Sequence, residues 1–126
     1  MALRVFLVED MQNMRTLLVE LLGATGGFEI VHVASTEAEA RLWLEDNPGG
    51  CDLAIVDLVL DQGSGIGVIR PARQTSPQAR IAVFSSYATA GVEEHCRRLG
   101  ADVVFDKADS AAFITWLQGL RRDTLQ

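Results

Sequence analysis

Hydrophobic and polar positions along this chain repeat with two periods in turn. The runs LRVFLV (3–8), FEIVHVA (28–34), LAIVD (53–57), ARIAVFSS (79–86) and ADVVFDK (101–107) have strand length and are rich in branched and aromatic residues. FEIVHVA alternates with period two, so that strand has the more exposed face, with His32 at the surface. LAIVD is apolar until its last residue, as expected of a strand covered on both sides. Between these runs, apolar residues recur at helical spacing. In NMRTLLVELLGATGG, Leu17, Leu18, Leu21 and Leu22 form one stripe; Asn13 is placed to cap it, and Gly23, Gly26 and Gly27 to stop it. Ser35 or Thr36 caps EAEARLWLEDN, where Glu39 stands at capping-box distance from Thr36, and Pro48, Gly49 and Gly50 end that helix. GVEEHCRRLG and SAAFITWLQGLRR supply two more. GSGIGVIRPARQTSPQ should hold another, left short, bent or interrupted by Gly67 and Pro71.

Five strands alternating with helices predict an α/β fold with a parallel sheet covered on both faces. Right-handed crossovers then place every strand C-terminus along one edge of the sheet. Sites in such sheets form outside that edge. The chain of 126 residues fits one domain, and no linker or repeat divides it.

Composition narrows the function. A hydrophobic fraction of 48% with 22% charged residues is that of a globular protein. The net charge of −6 argues against a large nucleic-acid footprint. Cys51 and Cys96 have no metal-ligand spacing and read as reduced, half-buried thiols. No signal peptide or membrane-length run is visible, and the expected location is the cytoplasm. Trp43 and Trp116 fall at packing positions of amphipathic helices.

The chemistry lies at the strand ends. Strand one ends at Glu9 and Asp10, strand three at Asp57, strand four at Ser85 and Ser86, and strand five at Asp106 and Lys107. Clustered carboxylates repel one another, and a divalent cation relieves that repulsion. An all-oxygen donor set suits Mg²⁺ better than zinc. A lysine and a hydroxyl beside it supply what a phosphoryl group in transfer needs, and a carboxylate can itself accept that group. Asp57, on the central strand, is the candidate acceptor. Asp52, at the opposite end of the same strand, reads as a loop acid.

The motifs LVED, AIVDLVL, VFSSYA and GADVVFDK, in that order and each at a strand end, resemble the response-regulator receiver domains of two-component signalling over essentially the whole chain. The resemblance implies a flavodoxin-like, doubly wound sheet in the order 2-1-3-4-5, as one receiver domain over 1–126 without an output domain. It implies that Glu9, Asp10, Asp57 and the backbone carbonyl of Val59 bind Mg²⁺. It implies that Asp57 takes a phosphoryl group from a phosphohistidine of a sensor kinase or histidine phosphotransfer protein, with Ser85 and Lys107 on the phosphoryl oxygens. Such a protein is a regulator that catalyses only its own phosphotransfer and dephosphorylation, and acts on a downstream protein through its α4-β5-α5 face, as a monomer or weak homodimer. One apolar residue among Phe113, Ile114, Trp116, Leu117 and Leu120 should be exposed there, and Arg97 and Arg98 are placed to serve the same surface.

Three positions depart from the family pattern. Val104 stands where a switch aromatic is usual, with Phe105 and Tyr87 as the nearby aromatics. Ala108 replaces the proline after the lysine, so the bond is either trans with an altered loop or a strained cis bond costing roughly 2.5–4 kcal/mol. Asp61 adds an acid in the loop after Asp57, as a solvated residue or as one that tunes the site. The alternative function is a pseudo-receiver, the same fold acting as a phosphorylation-independent protein-binding module. An aspartate-nucleophile phosphatase would want an acid where Val59 stands, and a flavin protein would want a Gly/Ser/Thr-rich loop where EDMQNM stands.

Overall fold

A computed structural model describes residues 2–125. Its elements run β1 (Leu3–Val8), α1 (Gln12–Thr25), β2 (Phe28–Ala34), α2 (Glu37–Asp46), β3 (Leu53–Val56), α3 (Ile66–Thr75), β4 (Arg80–Ser85), α4 (Ala90–Leu99), β5 (Val103–Asp106) and α5 (Ser110–Leu125). All strand pairs are parallel and the sheet order is β2-β1-β3-β4-β5. The fold class and strand order are those expected from the alternating pattern.

Strand alternation divides the core into two layers. Phe6, Val8, Ala54, Val56, Ile81 and Val83 face α2, α3 and α4, where they meet Ala40, Leu44, Val68, Ile69, Ala72 and Cys96. Val5, Leu7, Leu53, Ile55, Ala82 and Phe84 face α1 and α5, where they meet Leu18, Leu22, Phe113 and Leu117. β3 is buried at every residue, so its backbone is fixed from both sides and between two neighbouring strands.

Several local expectations are corrected. α1 begins at Gln12 with Met11 at its N-cap, and neither that residue nor Asn13 makes a side-chain cap. The helix passes through Gly23 and ends at Gly26, whose φ of 76° only glycine adopts readily. Of the outcomes expected for α3, interruption is excluded: Pro71 lies inside a short helix of 10 residues whose Val68, Ile69 and Ala72 are fully buried, and that packing outweighs one missing backbone hydrogen bond. The two thiols are buried rather than half-buried. None of Phe113, Ile114, Trp116, Leu117 and Leu120 is exposed; Phe113 and Leu117 pack in the core and Trp116 lies against Phe105 with ring centroids 5.8 Å apart. Asp52 is no free loop acid. Its carboxylate takes the Arg4 backbone N–H at 2.8 Å and pairs with the Arg4 guanidinium at 3.0 Å, which lowers its pKa and ties β1 to the start of β3.

Other readings hold. Thr36 caps α2, accepting the Glu39 N–H at 3.1 Å, while the Glu39 carboxylate accepts the N–H of Ser35 at 3.0 Å. His32 is exposed, and its ring stacks on Trp43, which in turn stacks on Phe6 at 4.4 Å. A feature not anticipated from the sequence is that Arg97 and Arg98 pair with Glu93 and Glu94 one turn away on α4. No described helix is long and apolar enough to cross a membrane.

Candidate functional site

The sheet places the site residues by extending its own ladders one residue past the strands. The Glu9 N–H donates to the Ala34 carbonyl at 3.0 Å, the Asp57 N–H to the Val8 carbonyl at 3.0 Å, and the Lys107 N–H to the Ser85 carbonyl at 3.1 Å. Three chemically active residues therefore leave the C-terminal edge with their backbones already fixed. Carboxylate oxygens of Glu9, Asp10 and Asp57 lie within 4.8 Å of one another. Glu9 is 1% exposed and Asp57 5%.

Among the described residues, one cation faces this cluster. Lys107 Nζ stands 3.0 Å from Asp57 Oδ2 and 3.3 Å from Glu9 Oε1. A single lysine does not balance three acids at this depth. Burial, followed by the hydrogen bond and charge of Asp57, pushes the Glu9 carboxyl up to about 8. Two buried oxygens, Glu9 Oε2 and Asp10 Oδ1, have no hydrogen-bond partner among the described residues. Unsatisfied carboxylate oxygens at this depth are costly. Oxygens that converge in this way fit a hard divalent cation, and Glu9, Asp10 and Asp57 can hold one.

Ser85 is fully buried at the end of β4, opposite Asp106 of β5, and its Oγ accepts the Tyr87 N–H at 3.2 Å. Val59 follows Asp57 by two residues, and its N–H points to Asp57 Oδ1 at 3.5 Å. Asp61 is exposed, but its backbone N–H donates to Asp10 Oδ2 at 2.7 Å, so the loop is docked on the acidic pair by its main chain. The Lys107–Ala108 bond is trans, and Ala108 N–H is satisfied by the Asp106 carboxylate at 2.8 Å. Val104 packs into the α3/α4 layer while Phe105 turns to the opposite layer against Phe113; Tyr87 is 61% exposed.

Sequence reasoning missed two residues that shape the site. The first is Gly65, which adopts an ordinary helical conformation, so its need is for space. A Cβ there would stand 1.8 Å from the Asp57 carbonyl oxygen. The second is Glu37, whose carboxylate reaches across from α2 to the loop after β3. The glycines of GSGIG were a visible trace of the first, since glycine permits close backbone approach.

Comparison with known proteins places this geometry. The family model of the response regulator receiver domain matches residues 5–116. The DNA-binding transcriptional activator DevR/DosR of Mycobacterium tuberculosis is 34% identical over 84 residues, which span 67% of this chain but only 38% of that protein. The chemotaxis protein CheY of Bacillus subtilis is 32% identical over 87 residues, covering 68% of this chain and 69% of that one. A response regulator from Burkholderia pseudomallei, solved with a phosphorylated aspartic acid, a calcium ion and citrate, is 25% identical with a TM-score of 0.73, over 82% of this chain and 59% of that one. With the family match running from β1 into α5, and the acidic cluster and lysine at the sheet edge inside it, this chain belongs to the receiver domains of two-component response regulators.

Proposed function

We propose that this chain is a phosphoacceptor in a cytoplasmic two-component or phosphorelay pathway. The Asp57 carboxylate attacks the phosphorus of a phosphohistidine on a sensor histidine kinase or histidine phosphotransfer protein. An Asp57 O–P bond forms as the P–N bond breaks, and the imidazole leaves after taking a proton from solvent. Lys107 Nζ, 3.0 Å from Asp57 Oδ2, is positioned to follow the charge onto the phosphoryl oxygens. The Ser85 hydroxyl donates to the same oxygens. Glu9, Asp10, Asp57 and the Val59 carbonyl would hold Mg²⁺, which when bound would supply positive charge to the transferring group. The chain catalyses only this transfer to itself and the later hydrolysis. Because Lys107 N–H bonds the Ser85 carbonyl, a change at Ser85 reaches β5 directly, and the α4-β5-α5 face is where a downstream protein, or a second copy in a weak homodimer, would read it.

The observation that carries this reading is the pair of buried carboxylate oxygens without partners, Glu9 Oε2 and Asp10 Oδ1, beside an ion-paired Asp57. The phosphorylated aspartic acid of the Burkholderia pseudomallei relative supports it. Incubation with acetyl phosphate and Mg²⁺ is expected to add one base-labile phosphoryl group to the intact mass, and a chelator to prevent it. Unchanged mass with several donors would favour the pseudo-receiver reading.

Mg²⁺ binding should also depend on pH. The Glu9 carboxyl, raised to about 8, carries a proton at neutral pH and must lose it to become a ligand. Affinity is expected to rise about tenfold per pH unit while the pH is below that value, and to level off above it. Titrations at several pH values, read by amide NMR, check this; a flat profile from pH 6 to 8 would contradict it.

A further inference from the structure

The loop from Asp57 to Gly65 is held from two sides. On one side lies Asp10, which accepts the Asp61 N–H at 2.7 Å. On the other lies Glu37, the first residue of α2. Its Oε1 accepts the Ser64 N–H at 2.8 Å, and its own backbone N–H donates to the Gln62 carbonyl at 3.2 Å. Ser64 passes this restraint on. It forms an antiparallel bridge with Val59, and its hydroxyl donates to the Leu58 carbonyl at 3.2 Å. Leu58 and Val59 directly follow the phosphoacceptor.

Two glycines make room for this contact. A Cβ at Gly63 would stand 2.5 Å from Glu37 Cβ, and a Cβ at Gly67 would stand 2.5 Å from Glu37 Oε2. Gly63 also has a φ of 85°, which side chains adopt rarely. The carboxylate is part-buried, and among the described residues it also pairs with Arg41 Nη1 at 3.4 Å. The GSGIG segment is thus shaped around a side chain that comes from a different helix.

We propose that Glu37 is a positioning residue. By holding the Ser64 N–H it fixes the Val59 segment, and so sets the affinity of the metal site without contributing a ligand. The inference rests on the reading of Glu9, Asp10, Asp57 and the Val59 carbonyl as a Mg²⁺ site. Groups that orient ligands from outside typically change metal affinity by about 10–100-fold when removed. Here the restraint acts through a loop and one carbonyl, so the lower end, about tenfold, is expected.

Glu37→Ala and Glu37→Gln separate position from charge. Both remove the same negative charge, but glutamine keeps an oxygen that accepts the Ser64 N–H. Amide NMR of each full-length variant, metal-free and titrated with MgCl₂, reads two quantities. One is the Mg²⁺ dissociation constant; the other is hydrogen exchange at Ser64 before any metal is added. Glu37→Ala is expected to weaken Mg²⁺ about tenfold and to speed Ser64 exchange, with Glu37→Gln within about twofold of wild type on both. Equal losses in the two variants would show that the charge acts, and would overturn the positioning role. Wild-type Mg²⁺ affinity in Glu37→Ala would overturn it as well. If the wild-type chain itself took up no Mg²⁺, the metal-site reading would fail first; Ser64 exchange in the metal-free variants would still show whether Glu37 holds the loop.

Discussion

Asp57→Asn is expected to abolish phosphorylation and, in the same molecule, to stabilise the metal-free fold. The first effect follows from loss of the nucleophilic oxygen: an amide does not accept the phosphoryl group. The second follows from the charge balance at the sheet edge. Asp57 and Glu9 are both nearly inaccessible, Asp10 adjoins them, and Lys107 is the cation that contacts the pair. Burial and Asp57 together raise the Glu9 carboxyl from 4.5 to about 8. A carboxyl with a raised folded-state pKa favours the fold in its protonated form. That contribution is complete below about 4.5 and is lost as the pH rises through about 8. Asparagine removes the charge that, together with burial, keeps Glu9 protonated, so Glu9 can ionise beside Lys107 at a lower pH. It leaves Lys107 paired with Glu9, so no buried cation is stranded. A gain of about 1–2 kcal/mol is expected at neutral pH without Mg²⁺, with a flatter decline of stability toward alkaline pH. Urea unfolding of both proteins across pH, in the presence of a chelator, measures it. A less stable Asp57→Asn would mean that the acids are better compensated than the geometry indicates.

Gly65→Ala is expected to cost both stability and function. Glycine at this position is not required by the backbone angles, which are φ −62° and ψ −23°. It is required by distance. A Cβ would lie 1.8 Å from the Asp57 carbonyl oxygen and 2.9 Å from Val56 Cγ1. Neither neighbour can yield easily, because the Asp57 N–H is bonded to Val8 and the Gly65 N–H to the Leu58 carbonyl. The start of α3 or the end of β3 must therefore move. Overpacking of this kind costs about 1–3 kcal/mol, and the top of that range applies when backbone must shift. A displacement near 1 Å at a reacting group can reduce the rate about a hundredfold. Phosphorylation by acetyl phosphate should fall by that order, while the variant remains folded by circular dichroism. A rate within twofold of wild type would show that the loop absorbs the methyl group without moving Asp57.

The fold was legible because its signal is long and repeated. Five apolar runs separated by helical stripes leave little choice of architecture, and strand direction then sorts the polar residues. It separates Asp57 from Asp52, which flank β3 at its two ends, into a site residue and a structural partner of Arg4. Glu9, Asp10 and Lys107 were legible for the same reason: each follows an apolar run, and parallel strands bring their ends together. What escaped is what depends on contacts between elements. Nothing local marks Glu37, which reads as an ordinary first-turn acid of α2, until α2 is packed beside the loop after β3. Pro71 misled because its local cost is real but is outweighed by the burial of Val68, Ile69 and Ala72. The apolar positions of α5 were too many for one stripe by count; Phe113 and Leu117 are buried in the core, Trp116 and Leu120 are half-buried against it, and Ile114 is half-buried. The backbone of Asp61, rather than its carboxylate, touches the acidic pair, and a sequence carries no sign of that choice.

The central claim is that Asp57 receives the phosphoryl group. Tandem mass spectrometry of the protein after reaction with acetyl phosphate and Mg²⁺, with the acyl phosphate trapped by reduction, locates that group directly. The modification should fall on Asp57 alone and should be missing when Mg²⁺ is chelated. A phosphoryl group on any other residue, or an unmodified Asp57 in a protein shown to have bound Mg²⁺, would contradict it.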